Sequence, residues 1–312
     1  MADLIHKIKK YLTEPLLPPL SFLFSRTCLG GIHYSAKEKT IDAHFILPLS
    51  AGLLEPSFDK KNIINGRALE GKLREGVHRL GAADRNVLLL IPEACLKVFL
   101  LAFDNLPSSI KERENLIRWR LNKLLPLQPS DLRMSYDVMT SEGGAKIILV
   151  LARAAVIQEY ESLLARLDLK VKVIGLPSLA LMNFLKQEPT KNALVANIEA
   201  DSISLLAVAE RRAALYRFKP FLQDATRGAL SAQKWEQVVT EVQNTIQFME
   251  DREQKKIGAV WVRSALPIGE GDGLAILKEK LSVPVKALDF SLPRPLSGED
   301  KQILSPLVGQ MI

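Results

Sequence analysis

The chain has 312 residues, with 42 Lys and Arg against 35 Asp and Glu, a formal charge of +7. That length holds two domains, or one large α/β unit with an insertion; 47% apolar and 25% charged residues exclude a disordered, collagenous or low-complexity chain. Apolar runs such as Val87–Ile91 and Ile147–Ala152 fall far short of the roughly 18 residues that span a bilayer.

Lys7, Lys9 and Lys10 interrupt the place where a secretory leader would have its apolar core, so the chain is expected to stay in the cytosol. Cys28 and Cys95 are too few for a disulfide framework and read as buried thiols. The histidines His6, His33, His44 and His78 have no metal-ligand spacing, and no metal site is expected. A surplus of seven charges without a dense basic run does not support nucleic-acid binding.

In chain order, Leu4, Ile5, Ile8, Tyr11 and Leu12 share one face of a terminal helix with lysines largely outside it, which Pro15, Pro18 and Pro19 stop. Three short β-rich stretches follow, Leu20–Ser25, Leu29–Ser35 and Ile41–Leu47, then a helix over Gly66–Leu80 and a strand, Asn86–Ile91, whose continuous apolar run suits a position covered on both faces. The order recurs: strands at Ala193–Ile198, Ile203–Ala209 and Ala213–Phe218, a long helix marked by Trp235, Val238, Val242, Ile246 and Met249, and a strand at Ile257–Val262. Two β-β-β-α-β units imply a duplicated α/β fold with a ligand cleft between the halves.

Between the repeats, residues 92–152 read as an inserted α+β subdomain. A strand at Cys95–Phe103 leads to a helix opened by Ser109 and Glu112 in capping-box spacing and closed by Pro126. Its expected apolar face is Ile110, Ile117, Leu121 and Leu124, with Lys111, Arg113, Arg118, Arg120 and Lys123 supplying charge. Strands at Met134–Met139 and Lys146–Ala152 complete the subdomain, and a helix at Ala155–Leu167 returns the chain to the scaffold.

The string NLPSSIKERENLIRWRLNKLLP over Asn105–Pro126, followed by LRMSYDV over Leu132–Val138, resembles the PilM family of type IV pilus assembly proteins. LARAAVIQEYESLLARLDLKVKVIGLPSLAL is similar to that family's passage into the second half, and the resemblance covers about residues 20–290. It implies actin-like (ribonuclease H-like) halves similar to those of FtsA, divided as 20–91 and 192–312, with 153–191 connecting and 1–19 preceding them. GspL of type II secretion is a close structural cousin.

Actin-like proteins hold ATP with small residues that let backbone amides approach phosphate and with carboxylates at strand ends that orient Mg²⁺ or water. The first loop here is Phe24-Ser25-Arg26-Thr27-Cys28-Leu29, without the Asp and Gly of that pattern. In the second, Asn197 stands for the carboxylate and Glu199 for the glycine; Arg263-Ser264-Ala265 replaces the adenosine glycines. Gly269–Gly273 reads as a turn ahead of a helix at Leu274–Leu281. Ser25, Thr27, Asn197, Glu199 and Ser264 are therefore degenerate nucleotide positions, and a non-hydrolysing protein without a cofactor is expected, ATP being the disfavoured alternative. There is no G-x-S-x-G elbow, Walker A sequence or kinase signature, and Glu236 and Glu241 read as solvated carboxylates.

The resemblance implies a cytoplasmic scaffold peripheral to the inner membrane. Its expected partner is the short tail of a PilN-like bitopic protein lying beside the inserted subdomain, with Arg118, Trp119, Arg120 and Tyr136 as contact positions. An assembly ATPase, self-association and the membrane surface are further expected contacts; an ATP-dependent switch or a type II secretion component is the alternative.

Overall fold

The computed structural model describes residues 17–125, 131–141, 144–188, 190–221, 232–265 and 273–312. The terminal helix expected within residues 1–13 and most of the Gly269–Gly273 turn lie outside them.

The first half opens with β1 (Leu20–Phe24), β2 (Cys28–Ser35) and β3 (Thr40–Pro48), then α1 (Gly66–Leu80) and β4 (Asn86–Leu90). Helix α1 begins where Asn65 Oδ1 accepts from the Ala68 N–H at 3.1 Å and ends where Gly81, at φ 59°, takes the left-handed conformation open to a residue without Cβ. Val87 to Ile91 are fully buried, as their unbroken apolar run requires of a central strand.

The second half repeats the plan with β9 (Asn192–Ile198), β10 (Ser202–Ala209), β11 (Arg212–Pro220), α5 (Ala232–Asp251) and β12 (Ala259–Ser264). Adding β8 (Lys170–Gly175) and β13 (Val285–Ala287), the two five-stranded sheets run β3-β2-β1-β4-β8 and β11-β10-β9-β12-β13. In each, the first strand pairs antiparallel with the second and parallel with the fourth. The fold is thus a duplicated actin-like α/β architecture with a small α+β insertion. Glu241 departs from the expected solvated surface: it is 15% exposed and meets Arg217 at 3.5 Å.

The insertion is a three-stranded antiparallel sheet in the order β5-β7-β6, from β5 (Leu96–Phe103), β6 (Leu132–Ser141) and β7 (Gly144–Arg153), with α2 (Ile110–Leu124) on one face. Only Ile117 and Leu121 of the expected apolar stripe are buried; Ile110 is 67% and Leu124 48% exposed. A three-stranded sheet is too narrow to cover a helix of four turns, so the end residues extend past it.

After β7, α3 (Ala154–Ala165) leads to β8, and α4 (Pro177–Met182) crosses toward the second half. Helix α6 (Gly273–Lys280) precedes β13, and α7 (Gly298–Met311), capped by Ser297 accepting from Asp300 N–H at 3.1 Å, returns to the first half. There Leu304, Leu307 and Val308 pack with Leu23, Ile32 and Leu88. Gly309 permits the contact with α4, since a Cβ at that position would lie 2.5 Å from the Ala180 carbonyl oxygen.

Candidate functional site

The two degenerate loops face one another between the halves. In the β1–β2 turn, Ser25 Oγ accepts from the Cys28 N–H at 3.0 Å, so this hydroxyl is occupied by its own turn. Thr27 is partly buried beside it, its carbonyl taken by the Leu49 N–H at 2.8 Å. Arg26 bridges outward, 2.7 Å from Glu55 and 4.0 Å from Asp201 of the β9–β10 turn.

Arg263, near the end of β12, is fully buried and makes contacts in three directions. One terminal nitrogen donates to Asn197 Oδ1 at 2.8 Å and to Glu199; Nε and the other nitrogen donate to the carbonyls of Gln302 and Ile303 of α7 at 2.9 and 3.0 Å. The guanidinium therefore ties the second phosphate-type loop to the terminal helix. Ser264 stands beside it with its N–H directed to Gln302 Oε1 at 3.4 Å. Glu199, which stands where the related pattern has its glycine, is the counter-ion of Arg263. Burial pushes its carboxyl upward and Arg263 pulls it back, with burial dominant. Asp201 is also raised by burial.

A second polar cluster lies at the base of the cleft. Glu93, buried just after β4, accepts from Ser178 N–H at 2.7 Å and from Ser178 Oγ at 2.5 Å, from Asn197 Nδ2 at 3.4 Å, and from the Tyr216 hydroxyl. Ser178 and Ser204 hydroxyls meet at 2.6 Å. Burial raises the Glu93 carboxyl despite these bonds. One carboxylate so holds the start of the insertion, α4 and two strands of the second half together. The cavity remaining among Ser25, Arg26, Glu93, Asn197, Glu199 and Asp201 is about 20 Å³, room for one water. Both thiols are buried, and burial lifts Cys28 to about 11 and Cys95 to about 12, so neither is a nucleophile at neutral pH.

The open space lies elsewhere, between the insertion and the first half. A cavity of about 480 Å³ is bounded by Arg133 and Ser135 of β6, Val150 and Ala152 of β7, and Val171, Lys172 and Ile174 of β8. A further 360 Å³ extends past Asp137, Met139 and Ile148 to Arg211 and Arg212 at the β10–β11 turn. Leu179 lines both. Arg133, Ser135, Asp137 and Met139 are alternate residues and so share the sheet face away from α2; six steps of about 3.3 Å make this trough about 20 Å long. Strand β8 is the outer strand of its sheet, with backbone groups on offer along that side.

Arg133 is held by Glu161 through bonds of 2.6 and 3.0 Å, whereas Lys172 and Arg211 are exposed and have no carboxylate partner among the described residues. Glu210 and Arg211 both have positive φ, 53° and 65°, in a two-residue hairpin turn that normally favours Asn-Gly.

The four positions expected to meet a tail lie outside this trough. Tyr136 packs beneath α2 with Ile117 and Leu121. Arg118 borders a recess of only 10 Å³ beside Leu121 and Asn122, Arg120 is exposed, and Trp119 is 53% exposed with Lys123 Nζ 3.7 Å from its ring centroid. The sequence missed Glu93, Arg263 and Lys172. Arg263 and Glu199, opposite charges each in a place where the related fold uses small residues, were the signal for that pair; nothing local distinguished the other two.

No family model matches the sequence, and no curated protein does. Among solved structures, the chain is similar to that of the PilM–PilN type IV pilus biogenesis complex, with a TM-score of 0.76, 17% identity, and 95% of this chain and 97% of that one covered. It is also similar to the cytoplasmic domain of EpsL, an inner-membrane component of the Vibrio cholerae type II secretion system (TM-score 0.50, 13% identity, 92% of each chain). A third similar structure is a Bacteroides thetaiotaomicron protein of actin-like ATPase fold (TM-score 0.55, 11% identity, 92% and 94% covered).

Proposed function

We propose that this chain is a scaffold of a type IV pilus assembly platform that binds the short cytoplasmic tail of a PilN-like inner-membrane protein and does not hydrolyse ATP. The observation that carries the reading is the contrast between the two clefts. The one between the halves retains about 20 Å³ around a buried ion pair, while the trough beside the insertion opens to about 480 Å³.

An extended peptide fits the trough by adding to a strand edge, its backbone satisfied by β8 or β6 and alternate side chains entering the apolar floor. About six residues span 20 Å. Lys172 and Arg211 stand toward opposite ends of the trough as cations without a carboxylate partner among the described residues and favour a tail with acidic or polar residues flanking an apolar centre, acting more on encounter rate than on affinity. The similarity to an inner-membrane component of a secretion system supports a position beneath the inner membrane and leaves a secretion platform as the second reading.

Fluorescence anisotropy with a labelled peptide of the tail tests the assignment. Leu179→Asp, which puts a charge into the apolar floor, is expected to abolish binding, and Lys172→Glu to slow association several-fold. Equal binding by both variants would remove the tail from the trough.

A further inference from the structure

We infer that the outward face of α2, centred on Trp119, is a docking face for an anionic lipid surface, separate from the peptide trough. Trp119 lies two residues from both Ile117 and Leu121, about 200° around the helix from the buried stripe, and so points away from the insertion's own sheet. Its 53% exposure is not that of a side chain serving the fold. Arg118 and Arg120 flank it about 100° to either side, and Lys123, one turn on, holds its ammonium 3.7 Å from the ring centroid. Among the described residues none of these three cations has a carboxylate partner.

An indole with a polar N–H and an apolar body, surrounded by long cationic side chains that can reach past it, matches the boundary between headgroups and acyl chains. The shape argues against an acidic protein as occupant. Protein interfaces anchor on pockets that take a side chain, and among the described residues the recess beside Arg118 is only about 10 Å³. A lipid surface needs no pocket. Each basic residue near such a surface contributes roughly a five-fold gain in partitioning, so three contribute on the order of a hundred-fold.

The test uses the full chain and vesicles of phosphatidylcholine with and without phosphatidylglycerol, read by co-sedimentation and by tryptophan emission. Trp235 and Trp261 are buried, so a blue shift on binding reports Trp119. The expected result is salt-sensitive partitioning to the phosphatidylglycerol vesicles only, with a blue shift. Partitioning should fall on the order of a hundred-fold in Arg118→Gln/Arg120→Gln/Lys123→Gln, and the shift should disappear in Trp119→Phe. Melting temperature and tail-peptide binding should be unchanged in these variants, which separates failure of this proposal from failure of the trough assignment. Equal binding to both vesicle types, or full retention by the triple variant, overturns it. Binding to polyglutamate as tight as to vesicles, without a blue shift, would also overturn it and assign the face to an acidic protein.

Discussion

Arg263 and Glu199 form a buried ion pair in the cleft where the actin-like fold otherwise admits phosphate, and the arginine is fully enclosed. The second oxygen of Glu199 has no hydrogen-bond partner among the described residues. The pair depends on Arg263 being shared with Asn197 and the carbonyls of α7, because a buried charge retains its ionised form only when its bonds replace its hydration.

Removing one member should therefore be worse than removing both. Arg263→Met is expected to destabilise the protein by about 3 to 5 kcal/mol by leaving Glu199 uncompensated, while Arg263→Met/Glu199→Leu should be nearly neutral. Urea denaturation of the two single variants and the double variant measures the coupling, and additive losses would contradict it.

Mg-ATP is expected to show no saturable binding in calorimetric titration of the purified protein. A cavity of about 20 Å³ is far below the several hundred Å³ that ligand sites offer. Micromolar binding, or hydrolysis lost in Asn197→Ala, would show that the halves open enough to expel the ion pair.

Glu93, Glu199 and Asp201 are all raised above the ordinary carboxylate range by burial. A carboxyl raised in the folded state takes up its proton before the unfolded chain does, so its contribution to stability is greatest in acid and declines as pH rises through the raised value. Glu93→Gln, which cannot ionise, should lose less stability than the wild type over the window in which pH rises above the ordinary carboxylate range. Parallel denaturation curves across that window would exclude Glu93 as a contributor.

Arg211 holds a left-handed backbone at φ 65°, which disfavours an L-residue with a side chain by roughly 1 to 2 kcal/mol. Arg211→Gly should raise stability by about 1 kcal/mol while slowing tail-peptide association, the pattern expected where strain is kept for function. A variant that is both more stable and equally fast in binding would make Arg211 a neutral turn residue.

The repeat was legible because it is written in local pattern. Val87–Ile91 reads as a covered strand from its unbroken apolar run, and the Trp235–Met249 spacing gives α5 its buried stripe without knowledge of any partner. The absence of the Asp and Gly residues expected at 25–28, 197–199 and 263–265 marked an altered cleft only through the resemblance to the actin-like pattern. What replaced those residues was decided by tertiary structure. Arg263 and Glu199 lie 64 positions apart and Glu93 and Tyr216 123 apart, and only the parallel pairing of β9 with β12 and the approach of the two halves bring them together. The face of α2 shows the same limit. Periodicity offered Ile110, Ile117, Leu121 and Leu124 as one stripe, but the width of the sheet beneath decides which of them are covered. The trough exists only where the sheet of the insertion comes to rest beside β8, α4 and the β10–β11 turn, so no single segment of the chain could have announced it.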